Sequence, residues 1–160
     1  MMVGIGMILA ALTSFLVSGA APAAAAPGTG AGSVMNPNAP YIVPKNKATN
    51  KCLDDSFEFN LRTFECNGQR YQRWTVIVRT IGIVTLINQA TGRCLDDSGT
   101  YGLRSFECNE GEYQLMAVND SGGNGYSIKG VQTRLCADDS KQFGLRHLSC
   151  NELPFQLWGN

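Results

Sequence analysis

Fifteen residues with the makings of a binding site recur at one interval. Asp54, Arg62, Phe64, Asn67 and Tyr71 form the first set; 42 positions on stand Asp96, Arg104, Phe106, Asn109 and Tyr113; 42 further stand Asp138, Arg146, Leu148, Asn151 and Phe155. An Asp, an Asn and an aromatic ring converging on a small outward pocket suit a neutral sugar. The carboxylate accepts bonds from two vicinal hydroxyls, the amide both donates and accepts, and the ring covers the C–H side of the sugar. A pocket built to bond a hydroxyl strongly rejects an analogue that lacks it. Each element has a plainer reading. A lone Asp-Asp-Ser is commonly a solvated turn. Phe64, Phe106 and Leu148 could pack under a loop as minor core. Arg62, Arg104 and Arg146 could simply pair with the neighbouring Asp, which is worth little if exposed. Recurrence of the whole set favours a site, although a repeated scaffold would recur as well.

The unit that must position these residues runs from 51 to 74, KCLDDSFEFNLRTFECNGQRYQRW, and returns at 93–116 and 135–158 without an insertion. A period of this size marks a repeat architecture. A lead-in strand precedes each copy. GIVTLIN, 82–88, is the clearest, and 41–46 and 126–130 are weaker counterparts. Turn chemistry appears in Ala90-Thr91-Gly92 and in SGGNG, 121–125. No 3.6-residue apolar stripe is present. Short strands between turns predict about four strands per repeat and about twelve in all, an all-β closed architecture.

Alternation separates two faces within a copy. Cys52 and Asp54 point one way and Leu53 the other; Arg62, Phe64 and Cys66 share one face and Leu61 and Thr63 the opposite one. A Cys52–Cys66 bond merges the cysteine faces, so Asp54, Arg62 and Phe64 surround it while Leu53 and Leu61 go to the core. Burying Trp74 then turns Tyr71 outward. Six cysteines allow fifteen pairings, and repeat symmetry favours Cys52–Cys66, Cys94–Cys108 and Cys136–Cys150, each enclosing 13 residues. In the chain-entropy model each such loop stabilises by about 3 kcal/mol. Zinc is disfavoured because there is no Cys-x-x-Cys and His147 is the sole histidine. No EF-hand spacing supports calcium. No metal or cofactor is expected.

All charge lies beyond residue 44, where 13 basic and 13 acidic side chains cancel. That balance gives no drive toward nucleic acid or an anionic membrane. Residues 1–26 read as a secretory signal peptide: an apolar run, then small residues, with cleavage after Ala25 or Ala26. The run lacks a preceding Lys or Arg, and an uncleaved anchor is the alternative, disfavoured by Gly4, Gly6, Thr13 and Ser14. Residues 27–40, PGTGAGSVMNPNAP, read as a flexible linker. The folded domain is expected over 41–160, in repeats of about 41–80, 81–122 and 123–160.

The pattern C-L-D, C-N and Y-Q-x-W, best carried by residues 88–114, resembles the ricin-type β-trefoil lectins. The resemblance covers 41–160. It implies a β-trefoil: a six-stranded barrel closed by three hairpins with pseudo-three-fold symmetry. It implies that Trp74 and Trp158 are core and that Gln72, Gln114 and Gln156 support the sugar-binding strand. It also implies that Asp54, Asn67, Tyr71 and their equivalents face the sugar. Three departures stand out. Small mannose-binding members of the family carry a sugar-contacting tyrosine, in Val-Tyr-Thr-Leu, where this chain has Arg62, and Arg104 and Arg146 repeat the change. A cation there points to an anionic sugar through bidentate bonding. Met116 replaces the core tryptophan of the second copy, predicting looser packing. Ala137 and Phe155 replace Leu and Tyr in the third, so one hydrogen bond is lost there.

One unit cannot bury its apolar face alone, so three are needed to close the fold, and three weak sites on one body would add avidity of about 10²–10⁴ on a polymer. The expectation is a secreted, monomeric, non-catalytic carbohydrate-binding protein whose partner is a glycan or polysaccharide, with no nucleic-acid partner and no membrane span after processing. The rival is a secreted trefoil that binds a protein, as an inhibitor or assembly subunit, with degenerate pockets. Hydrolysis is disfavoured. Asp54 and Asp55 point to opposite faces rather than flanking one bond, and a Ser-His-Asp site would have to rest on His147, which has no repeat equivalent.

Overall fold

The computed structural model describes residues 39–159. The expected signal peptide and residues 27–38 of the expected linker lie outside the described residues. The described chain is all-β, in thirteen strands: β1 (Tyr41–Ile42), β2 (Lys45–Asn46), β3 (Lys51–Ser56), β4 (Asn60–Glu65), β5 (Trp74–Thr80), β6 (Ile83–Asn88), β7 (Cys94–Ser98), β8 (Gly102–Phe106), β9 (Met116–Asp120), β10 (Tyr126–Gly130), β11 (Leu135–Ser140), β12 (Gly144–Ser149) and β13 (Trp158–Gly159). The expected four per repeat holds, because β1 and β2 are one lead-in strand interrupted at Val43 and Pro44. Pro44 has no N–H to give a ladder, but its carbonyl still accepts from Leu53 N at 2.9 Å.

The pairing closes a ring. β1 pairs β5, then β6, β9, β10 and β13 follow, and β13 returns to β2. This is a six-stranded barrel built from the first and last strand of each repeat. The middle strands make three hairpins, β3–β4, β7–β8 and β11–β12, each joined to its own lead-in strand. Registers match across the repeats: Asp54 lies opposite Arg62, Asp96 opposite Arg104 and Asp138 opposite Arg146.

The hairpin turns explain part of the Asp-Asp-Ser motif. Ser56 Oγ accepts from Phe59 N at 3.0 Å, Ser98 Oγ from Tyr101 N at 3.2 Å and Ser140 Oγ from Phe143 N at 3.1 Å. The turn then needs a left-handed residue, supplied by Asn60, Gly102 and Gly144 at φ 57°, 73° and 67°, a conformation that glycine and asparagine adopt most readily.

The core sits on the barrel axis. Leu53, Leu86, Leu95, Ile128, Trp74, Trp158 and Met116 are all buried, with Ala137 beside them. Trp74 donates Nε1–H to Leu53 O at 3.0 Å, and Trp158 donates to Ala137 O at 3.1 Å. Both are therefore core residues, as the resemblance implies. Met116 takes the same place in repeat 2 but has no donor. The disulfides are Cys52–Cys66, Cys94–Cys108 and Cys136–Cys150, as repeat symmetry predicts.

Candidate functional site

Each hairpin carries the first Asp of its motif on the inner strand and the Arg directly across on the outer strand. Arg62 Nε donates to Asp54 Oδ1 at 3.0 Å, Arg104 to Asp96 at 2.9 Å and Arg146 to Asp138 at 3.0 Å. The carboxylates are almost sealed, with side-chain exposures of 4, 3 and 4 %, while the arginines stay about a third exposed. The plainer reading of Arg as the partner of Asp is thus realised, but at a buried carboxylate, where losing the partner is costly.

A single 3-10 turn follows each hairpin: Arg70–Gln72, Glu112–Gln114 and Pro154–Gln156. The glutamine of each turn points inward and the preceding aromatic outward. Gln72 is fully buried. Its Oε1 accepts from Asn67 N at 2.8 Å, and its Nε2 donates to Glu65 O at 2.9 Å and to Asp54 Oδ2 at 3.3 Å. Gln114 repeats all three bonds, on Asn109 N, Glu107 O and Asp96. Gln156 bonds Asn151 N and Ser149 O. The asparagines form short turns through Oδ1, which accepts from Gln69 N, Gly111 N and Leu153 N, leaving the amide nitrogen outside those bonds.

Two of the three expected sets therefore come together as open recesses. Asp54, Arg62, Phe64, Asn67 and Tyr71 all line one of 340 Å³. Asp138, Arg146, Leu148, Asn151 and Phe155 all line another, of 570 Å³. Asp96, Arg104, Phe106, Asn109 and Tyr113 make the same internal contacts in repeat 2. The reading of Phe64, Phe106 and Leu148 as minor core is not met, since all three are exposed, as are Tyr71, Tyr113 and Phe155. The floor differs in one respect from the simplest sugar pocket. Asp54 already accepts from Arg62 and Gln72 and shows only a sliver of surface. The guanidinium, stacked on Phe64 at 4.4 Å, forms the larger polar face.

A further ring was not in the expected sets. Phe59 covers the other side of Arg62 at 4.3 Å, Tyr101 covers Arg104 at 4.6 Å and Phe143 covers Arg146 at 4.4 Å. In repeats 1 and 2 the cation is sandwiched between two rings; in repeat 3 Leu148 replaces the second. These aromatics recur at the same interval of 42, a signal available in the sequence but hidden inside what reads as a turn.

The second Asp of each motif lies on the opposite face, as alternation requires, and bridges to another repeat. Asp55 accepts from Thr91 and from Arg93, whose Nε lies at 3.1 Å. Asp97 meets Thr133 and His147. Asp139 meets Thr49, and Thr63 Oγ1 at 2.8 Å. These carboxylates belong to the scaffold. A separate cavity of 550 Å³, between the β9–β10 hairpin and the Cys136–Cys150 bond and lined by Asn119, Lys129 and Glu152 among others, contains no aromatic side chain. Among the described residues no helix is long and apolar enough to cross a membrane.

No protein-family model matches the chain, and no curated protein matches it in sequence. Solved structures do match. A BEL β-trefoil superposes with a TM-score of 0.67 at 13 % identity, over 77 % of this chain and 95 % of its own. The fold is a β-trefoil. The exo-β-1,3-galactanase 1,3Gal43A from Clostridium thermocellum matches at TM-score 0.68 and 22 % identity, over 77 % of this chain and 30 % of that one. A Polyporus squamosus lectin, bound to the human-type influenza-binding epitope Neu5Aca2-6Galb1-4GlcNAc, matches at 0.62 and 15 % identity, over 74 % of this chain and 46 % of the lectin. The trefoil thus spans less than half of these last two proteins. At such identities the likeness is one of fold.

Proposed function

We propose that the chain is a carbohydrate-binding protein without catalytic activity, acting in an oxidising, extracellular setting and engaging a glycan or cell-wall polysaccharide through up to three recesses. The observation that carries the reading is the threefold return of one outward constellation: a fixed guanidinium on a buried carboxylate, an asparagine amide, and exposed aromatic side chains around them. A scaffold alone has no need for exposed rings. Tyr71 is 47 % exposed and Tyr113 44 %, and neither side chain forms a hydrogen bond among the described residues. Aromatic faces of this kind supply area at low conformational cost. Three disulfides fit export. Catalysis is not part of the reading because the two carboxylates of each Asp pair serve opposite faces and cannot flank one glycosidic bond. Trefoils matching this chain occur in a lectin and in a galactanase, which supports a sugar-directed role in general terms.

The test is a glycan-array profile of the wild type beside the Tyr71/Tyr113/Phe155→Ala triple variant. A defined glycan bound by the wild type and lost in a folded variant is the expected result. Retention of binding after removal of all three rings would sink the assignment of the recesses. One observation favours the rival, a protein-binding trefoil: the β5–β6 hairpin exposes Val78 at 71 % and Ile81 at 99 %. An empty array, with a protein captured through that hairpin and released by Val78→Ser and Ile81→Ser, would decide for it.

A further inference from the structure

The arginine of each recess is neutralised where it stands. Its Nε donates to a carboxylate at 2.9–3.0 Å, so guanidinium and Asp together contribute no net charge. The three floors are electrically alike, and the arginine alone does not select an anion. What differs is the tip of the hairpin above each floor. Repeat 1 has Phe57 and Glu58, repeat 2 has Gly99 and Thr100, and repeat 3 has Lys141 and Gln142. Glu58 lines the first recess and Lys141 the third. Both side chains are exposed, and neither forms an ion pair among the described residues. The first recess therefore carries about one negative charge and the third about one positive charge, while the tip in repeat 2 adds none.

We propose, resting on the sugar-binding reading above, that this gradation divides the ligand between the recesses: repeat 3 takes an acidic saccharide, its carboxylate on Lys141, and Glu58 turns the same group away from repeat 1. Two features of repeat 3 agree. Its recess is the wider, 570 Å³ against 340 Å³, with Leu148 where the other repeats carry a ring. Its aromatic partner at the 3-10 turn is Phe155, which lacks the phenol hydroxyl of Tyr71, so a charged contact stands in for the missing polar one. Because exposed charges are screened beyond a Debye length of about 8 Å at physiological salt, each recess follows its own tip rather than the balanced charge of the whole chain.

The test uses the full chain, isotope-labelled, with matched uronic-acid disaccharides and their carboxyl-reduced neutral counterparts, and reads binding at each repeat by amide chemical shifts. The acidic member should bind repeat 3 about three- to tenfold more tightly than its reduced counterpart, and the preference should shrink as salt is raised. Lys141→Glu should abolish the preference and leave affinity for the neutral sugar within about twofold, while Glu58→Lys should confer the preference on repeat 1. An acidic preference that survives Lys141→Glu, or neutral sugars binding all three repeats with no acidic preference anywhere, overturns the gradation and leaves the sugar-binding reading intact. A panel on which no saccharide moves any recess overturns both together.

Discussion

The two carboxylates of each Asp-Asp pair are neighbours in sequence and opposites in behaviour. Toward the recess the first Asp makes the same bond three times, to the Nε of an arginine eight residues on. Toward the neighbouring repeat the second Asp keeps only one constant partner, a threonine: Thr91, Thr133 or Thr49. Its other partner changes each time, from Arg93 to His147 to Thr63. Holding repeats together requires only that a buried carboxylate be satisfied, and several donors do that equally well. The recess face keeps one geometry in all three repeats, as the proposed sugar-binding role requires. Uniformity on one side and improvisation on the other separate the proposed site from the scaffold within a single dipeptide.

Adjacent substitutions break the comparison most sharply. Asp55 is fully buried, and Arg93 at its side is only 16 % exposed. Asp55→Ala should strand that cation and cost about 3–5 kcal/mol. Chemical unfolding in urea measures it. Asp54→Ala removes an equally buried carboxylate, but Arg62 is about a third exposed and can turn to water. The expected cost is only about 1–2 kcal/mol. A larger loss at Asp54 than at Asp55 would mean that the recess pair, too, is chiefly scaffold. Between these falls the disulfide. Replacing Cys94 and Cys108 by alanine opens a loop of 14 residues in sequence separation and should cost about 3 kcal/mol, with glycan specificity at repeats 1 and 3 unchanged on the array.

Much of this was legible in the sequence because the repeat is perfect in length. An interval of 42 without insertion fixes which residues are equivalent, and alternation along strands then decides which share a face. The recess residues, the glutamine supports and the cysteine pairs all lie within one copy, so local periodicity finds them. The threonine partners of the second Asp, Thr49, Thr91 and Thr133, also recur at this interval but lie just ahead of each 24-residue copy, whereas the second partners, Arg93, His147 and Thr63, lie in another copy and share no single position, so no periodic argument reaches them. Phe59, Tyr101 and Phe143 are periodic too, but they lie between the two strands of each hairpin, beyond the alternation that groups the recess residues. The sealing of Asp54 beneath Arg62 follows from the register of β3 against β4 and from a buried Gln72, neither of which a strand pattern fixes by itself.

The smallest expected effect is the one that best tests the improvised side. Ser105 occupies the position of Thr63 and His147, the residues that reach the second Asp in the other two repeats. Its Oγ is buried and has no hydrogen-bond partner among the described residues. The cause is Arg93, whose guanidinium already holds both oxygens of Asp55, while the equivalent positions are Lys51 and Leu135. A buried hydroxyl without a partner bears its desolvation cost and returns nothing. Ser105→Ala should therefore change stability by no more than about 0.5 kcal/mol, and in the stabilising direction if at all. Thr63→Ala, which takes a donor from the buried Asp139, should by contrast lose about 1–2 kcal/mol. The pair of urea midpoints makes the check. Equal losses at the two positions would show that Ser105 is bonded to Asp55 in solution, and that the three interfaces are more alike than their partners suggest.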